Sequence, residues 1–192
     1  MPPKFLFTKE QIVAAALTIT RRAGPAGLTA RALAAELGCS VKPIFSLFKS
    51  MEDVQQAVLT AADALYQAAI ETEMRRGDYP PYKASGMAYI HFAREEKELF
   101  KLLFMRDRSG EPIVEDRESI RPLLALIRKS LGISEDAARR FHLEMWLFVH
   151  GIATMLATSY LNWDDALISD VLTDAYQGMR YRYLEGSNHA GN

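Results

Sequence analysis

Residues 28–48, LTARALAAELGCSVKPIFSLF, place two short runs of helical spacing on either side of the turn Gly38-Cys39-Ser40. Thr29 has the side-chain oxygen that caps a helix, so a helix is predicted from there to Leu37. Gly38 can adopt the left-handed conformation that closes it. Ser40 then caps a third helix over 41–48, in which Val41, Ile44, Phe45 and Phe48 fall at i, i+3, i+4 and i+7 and predict one buried stripe. The opposite face belongs to Lys42, Pro43, Ser46, Leu47 and Ser50. Ala34, four residues before Gly38, has a side chain small enough for the two helices to approach closely. Ile44, six residues after it, points into the same core.

Outward from this pair the pattern stays helical. Thr8 caps a helix to about Ala23, with Ile12, Ala16, Ile19 and Ala23 on one face and Gly24-Pro25 as its stop. A long helix is expected over 52–76, ended by Gly77, Pro80 and Pro81. Another covers 83–105 with a break near Glu96, followed by a polar loop over 106–111 and a helix over 114–131 in which Pro122 marks a kink or a restart. Ser134 opens a helix to about Asn162, and Asp164-Asp165 open a last one to about Leu184. Strand signals are nearly absent, so the fold class is all-α. The division expected is a three-helix module at 1–50, joined by the long fourth helix to a helical bundle within 51–184, with a disordered tail at 185–192.

Charge divides at the same place. Residues 1–50 hold seven basic side chains, Lys4, Lys9, Arg21, Arg22, Arg31, Lys42 and Lys49, against Glu10 and Glu36, a net of +5. The remaining 16 basic and 22 acidic residues leave −6. A small basic module on an acidic body is the electrostatic footprint of a nucleic-acid reader. A helix-turn-helix supplies the shape, its second helix entering the major groove while the first braces the backbone. Cys39 is the single cysteine, which excludes an intramolecular disulfide framework and cysteine-based metal clusters. The N-terminal MPPKFLF lacks the apolar core of a signal peptide, and the longest apolar stretch, 145–157, is interrupted by His150 and is shorter than the ~18 residues of a membrane span. A cytoplasmic location without membrane contact is expected. No nucleophile elbow, metal-binding His pair, phosphate loop or dinucleotide fingerprint occurs. The reading is a non-enzyme without cofactor or metal.

Residues 8–54, TKEQIVAAALTITRRAGPAGLTARALAAELGCSVKPIFSLFKSMEDV, resemble the DNA-binding domain of TetR-family repressors in the order and spacing of helix, Gly-rich break, Ala-rich second helix, turn, recognition helix and entry to the fourth helix. The resemblance implies a homodimer on a pseudo-palindromic double-stranded DNA operator, with ligand binding in the C-terminal domain resetting the spacing of two reading heads. It also implies phosphate contacts from Thr29 and Ser40, to which Arg31 adds one. Lys42, Ser46 and Lys49 supply the remaining donors, and Pro43 with Leu47 offers apolar contact to a thymine methyl. Three positions depart from the family: Phe45 replaces a phosphate-binding tyrosine, Leu47 a histidine and Met51 a lysine. Weaker phosphate anchoring and a shallower salt dependence follow. These departures motivate a second reading from another class, a dimeric helical ligand- or partner-binding protein of the same fold with weakened or lost DNA contact.

In FHLEMWLFVHGIATMLATSYL, residues 141–161, Trp146, His150 and Gly151 resemble the Trp/His-Gly pattern of one C-terminal subgroup of the family. By that resemblance 135–162 and 164–184 form a four-helix dimer bundle, with His150, Gly151 and Ala157 at the interface. A pocket for a small, mainly apolar ligand draws on Met87, Phe92, Phe100, Phe104 and Met105, faced by Met145, Trp146 and Met155. Solid core is the commoner fate of such a stripe. His91 and Glu95 share metal-ligand spacing, yet a surface or edge hydrogen bond is the expected role. Cys39 is read as a small turn residue, not a redox switch, and Glu115, Asp116 and Glu118 as a solvated helix start.

Overall fold

A computed structural model describes residues 6–111 and 118–189, and among them every regular element is helical. The elements are α1 (Lys9–Ala23), α2 (Ala30–Glu36), α3 (Lys42–Phe45), α4 (Met51–Arg76), α5 (Pro81–Glu95), α6 (Lys97–Phe104), α7 (Arg121–Leu131), α8 (Glu135–Ala157) and α9 (Asp165–His189). Two compact units result. Residues 1–68 with 95–106 form one, and 69–94 with 107–192 the other, so α4 runs out of the first into the second.

Local chemistry explains the starts and stops. Thr8 and Gln11 close a reciprocal capping box at the head of α1, Thr8 Oγ1 accepting the Gln11 N–H while Gln11 Oε1 accepts the Thr8 N–H. Thr29 Oγ1 accepts the Ala32 N–H at 3.1 Å and starts α2. That helix ends as the glycine predicts: the Cys39 N–H reaches the Ala34 carbonyl at 2.9 Å across Gly38, whose φ is 64°. Around an added Cβ at Gly38 there is open space, so the obstacle to a side chain is conformational alone. Gly38→Ala should therefore cost about 1 kcal/mol of stability, read by chemical denaturation, with no change in the folded spectrum. Gly24 is constrained twice. It has φ 68°, and a Cβ there would lie 2.8 Å from a carboxylate oxygen of Glu98.

The first unit packs Ile12, Ala16 and Ile19 of α1, Leu33 and Ala34 of α2, Ile44, Phe48, and Val54 and Val58 of α4 into one core. Arg21 of α1 clamps Glu96 with two guanidinium nitrogens, at the break that separates α5 from α6. The second unit is organised on Phe141, which meets Tyr176 and Tyr183 of α9 edge-on at 5.5 and 5.3 Å between ring centroids.

Of the two roles open to Pro122 the structure takes the restart: it sits in the first turn of α7, behind a short 3-10 turn over Glu118–Ile120. Two expectations change. α8 stops at Ala157, five residues early: Ser159 turns to φ 60°, and the Tyr160 and Leu161 N–H groups both fold back on the Met155 carbonyl. α9 continues to His189, so most of the expected disordered tail is helix. Glu115 and Asp116 lie outside the described residues.

Candidate nucleic-acid interface

The reading surface is short. α3 has four residues, prolonged by the Phe48 N–H bonding to the Ile44 carbonyl at 3.0 Å. No side chain caps it, since Val41 and not Ser40 occupies the N-cap. So brief a helix does not sustain a stripe at i+4 and i+7 from Val41. Ile44 and Phe48 are the residues that reach the core, while Val41 and Phe45 are 39% and 42% exposed. Leu47, expected on the reading face, is half-buried against the core. The apolar content of the face therefore comes from Val41, Pro43 and Phe45.

The polar candidates are outside. Thr29, Arg31, Ser40, Lys42, Ser46 and Lys49 are all exposed, and Pro43 is half-buried. Ser46 Oγ donates to the Pro43 carbonyl at 2.6 Å, which leaves that hydroxyl free to accept only. Ser50 Oγ accepts the Asp53 N–H and the Asp53 carboxylate accepts the Lys49 N–H, fixing the head of α4 beside the surface. Arg21 and Arg22 are engaged with Glu96 and Glu36, whereas Arg31, Lys42 and Lys49 enter no ion pair among the described residues.

In the second unit two tyrosine–histidine pairs join α5 to α8. Tyr82 Oη lies 3.0 Å from His142 Nδ1, and Tyr89 Oη 2.8 Å from His150 Nδ1. Burial lowers the His142 imidazole to about 4, and burial followed by the Arg108 charge lowers His150. Trp146 stacks on His150 at 4.8 Å with 14° between the rings. Sequence reading missed both tyrosines, although tyrosines seven apart on α5 and histidines eight apart on α8 each return to one helical face, a signal of two paired rungs.

His91 makes the expected hydrogen bond, and not with Glu95. Its ring lies 3.1 Å from Asp165 and 3.7 Å from buried Glu73, while Glu95 is exposed. Arg76 completes the Glu73 pair. Arg94 donates to Asp165 at 2.7 Å and, by that bond above all, holds the carboxyl below its usual range. The network ties the end of α4, α5 and the start of α9. No group of three or more His, Cys, Asp or Glu suited to a metal occurs among the described residues.

The apolar ligand candidates are distributed between the units. Phe100 and Phe104 belong to the first, their rings 5.1 Å apart and Tyr66 edge-on to Phe104, and Met105 of that unit is exposed. Met87, Phe92 and Met145 are buried in the second, and Trp146 is half-buried. Of the dimer candidates, Gly151 faces open space and His150 is bonded inward, while Ala157 is buried within its own unit and cannot be presented to a partner. The exposed apolar groups are instead Leu147 and Met155, one helical turn either side of Gly151, with Leu167 and Tyr181 on α9. Near the end of α8 an open depression is lined by Thr154, Met155, Thr158, Ser159 and Tyr160.

Residues 82–176 match the tetracyclin repressor-like C-terminal domain family. Over 185 residues, 93% of this chain and 84% of the relative, the sequence is 25% identical to an uncharacterized HTH-type transcriptional regulator of Mycobacterium tuberculosis. The fold is similar to that of a TetR-like transcriptional regulator from Rhodococcus, with a TM-score of 0.63 at 15% identity over 97% of this chain and 100% of that one. It is likewise similar to a TetR-family member from Streptomyces coelicolor, with a TM-score of 0.58 at 18% identity over 88% and 98%.

Proposed function

The chain belongs to the TetR family of transcriptional regulators, and from that premise we propose that it is a ligand-responsive repressor that binds a pseudo-palindromic DNA operator as a homodimer. The observation that carries the DNA reading is the exposed set Thr29, Arg31, Ser40, Lys42 and Lys49 around α3, in a segment of net charge +5. Residues 1–50 are assigned to DNA and 51–184 to dimerisation and effector binding. The effector is a small, mainly apolar molecule, and half-buried Trp146, stacked on His150 in the second unit, is an aromatic surface it could meet. The dimer reading is supported by the apolar residues left exposed on α8 and α9. No described helix is long and apolar enough to cross a membrane.

The test is retention of duplex DNA from the chain's own upstream region by the full-length protein, followed as a function of salt. Wild-type protein is expected to retain it at low salt. Lys49→Ala should flatten the dependence of log K on log salt by about 1 for each half-site, because each neutralised phosphate contributes about 0.9 to that slope. Absence of retention at low salt would favour the second reading, a dimeric ligand- or partner-binding protein of this fold. The apolar residues Phe45, Leu47 and Met51, at positions where phosphate-contacting side chains are expected, are the observation behind that alternative.

A further inference from the structure

We propose that this reading head recognises its operator through the 5-methyl groups of thymine, with Phe45 and Val41, four residues apart, as the specificity-determining contacts. The inference rests on the DNA reading above and names what that surface selects. Two exposed apolar side chains stand on the element that a helix-turn-helix presents to the groove, and both were expected in the core. Their surroundings define the occupant. Lys42 is on the same element and Lys49 follows it, both exposed, in a segment of net charge +5, so the partner is a polyanion and not an apolar protein face. In the major groove the apolar group that distinguishes one base from another is the thymine methyl.

The polar inventory points the same way. Between Gly38 and Ser50 there is no Arg, Asn or Gln, the side chains whose paired donors and acceptors read guanine or adenine. Pro43 has no N–H, and the Ser46 hydroxyl proton is committed to the Pro43 carbonyl. Lys42 and Lys49 remain as donors, and a flexible ammonium is a point charge that suits phosphate better than it fixes a base edge. Discrimination is left to shape and to the methyl groups that Phe45 and Val41 can cover.

Thymine-to-uracil exchange tests this without altering the protein. Duplexes are recovered from a random-sequence pool by full-length wild-type protein, and each thymine, with its counterpart in the other half-site, is then replaced by deoxyuridine. Affinity is expected to fall about 4-fold for each contacted methyl, the fold-change that burial of one such group produces, hence about 16-fold for a symmetric pair. Phe45→Ala protein, whose truncated side chain is half exposed and whose folding is checked by its helical spectrum, should lose that sensitivity at the same positions, leaving a difference of less than about 2-fold. Tight binding by wild type with every uracil duplex within about 2-fold of its parent would overturn the proposal while leaving DNA binding intact. Recovery of no duplex at low salt would overturn both.

Discussion

Protein carrying Leu147→Glu together with Met155→Glu is expected to be a folded monomer whose affinity for a two-half-site duplex is about 100-fold or more below wild type. Both side chains are outside the protomer's own core, at 56% and 44% exposure, so their replacement removes little packing and the helical spectrum should be retained. They flank Gly151 on one face of α8, and a Cβ built at Gly151 or at Gly178 of α9 meets nothing within 4 Å. On α9, Leu167 and Tyr181 are exposed as well. Two long helices that leave leucine, methionine and tyrosine uncovered, with glycines between them, make a self-complementary patch of the kind a two-fold axis closes. Glutamates on that axis meet their own copies and repel. Losing the second reading head turns one bidentate event into two weak ones, which is the origin of the 100-fold. Sedimentation gives the mass and a binding titration the affinity. A variant that remains dimeric would remove this face from the assembly, and a variant that is monomeric yet binds as tightly as wild type would remove the dimer from DNA recognition.

How far the sequence carried this picture depended on whether a signal was local. Thr8, Thr29, Gly38 and Ser134 act on hydrogen bonds within a few residues, and each performs the expected capping or turning role. The break at Glu96 is where the sequence reading expects it, although the Glu96 side chain caps nothing locally and is held instead by Arg21. Errors entered where periodicity was extended past the helix that supports it. A 100° step assumes continuous helix, so shortening α3 to Lys42–Phe45 exchanged the places of Phe45 and Leu47, and the end of α8 at Ala157 goes with a left-handed Ser159 and backbone bonds back to Met155 that no apolar pattern encodes. Partners distant in the chain were less legible still. A hydrogen bond for His91 could be expected from the sequence, but not its partners, Asp165 and Glu73, which tertiary packing brings to the ring. Of the DNA surface, residue types and charge could be read from the sequence. Which apolar side chains it exposes could not.

Lowering the pH from 6.5 to 4 is expected to remove about 3 kcal/mol of stability through His142. The ring is 6% exposed, and burial lowers it to about 4, against about 6.5 in the unfolded chain. Burial also pushes the Tyr82 phenol upward, so it keeps its proton and can donate to Nδ1 of the imidazole tautomer protonated at Nε2, a bond that a doubly protonated ring cannot accept. Between these two values the unfolded chain binds the extra proton, so stability is fully present above 6.5 and declines as pH falls toward 4. His150 is lowered too and adds in the same direction. The carboxylates act elsewhere. Glu135, lowered chiefly by the hydrogen bond from Arg139, and Asp165, lowered chiefly by that from Arg94, contribute stability above the unfolded carboxyl range and lose it only as pH falls through their folded values. The decline from 6.5 to about 5 therefore belongs to the histidines. His142→Gln retains an acceptor for Tyr82 and cannot titrate, so its denaturation free energy should be flatter over that interval by about 2 kcal/mol, at about 1.4 kcal/mol per pH unit. Equal slopes for wild type and variant would mean that His142 takes up its proton as readily in the folded unit as in the unfolded chain.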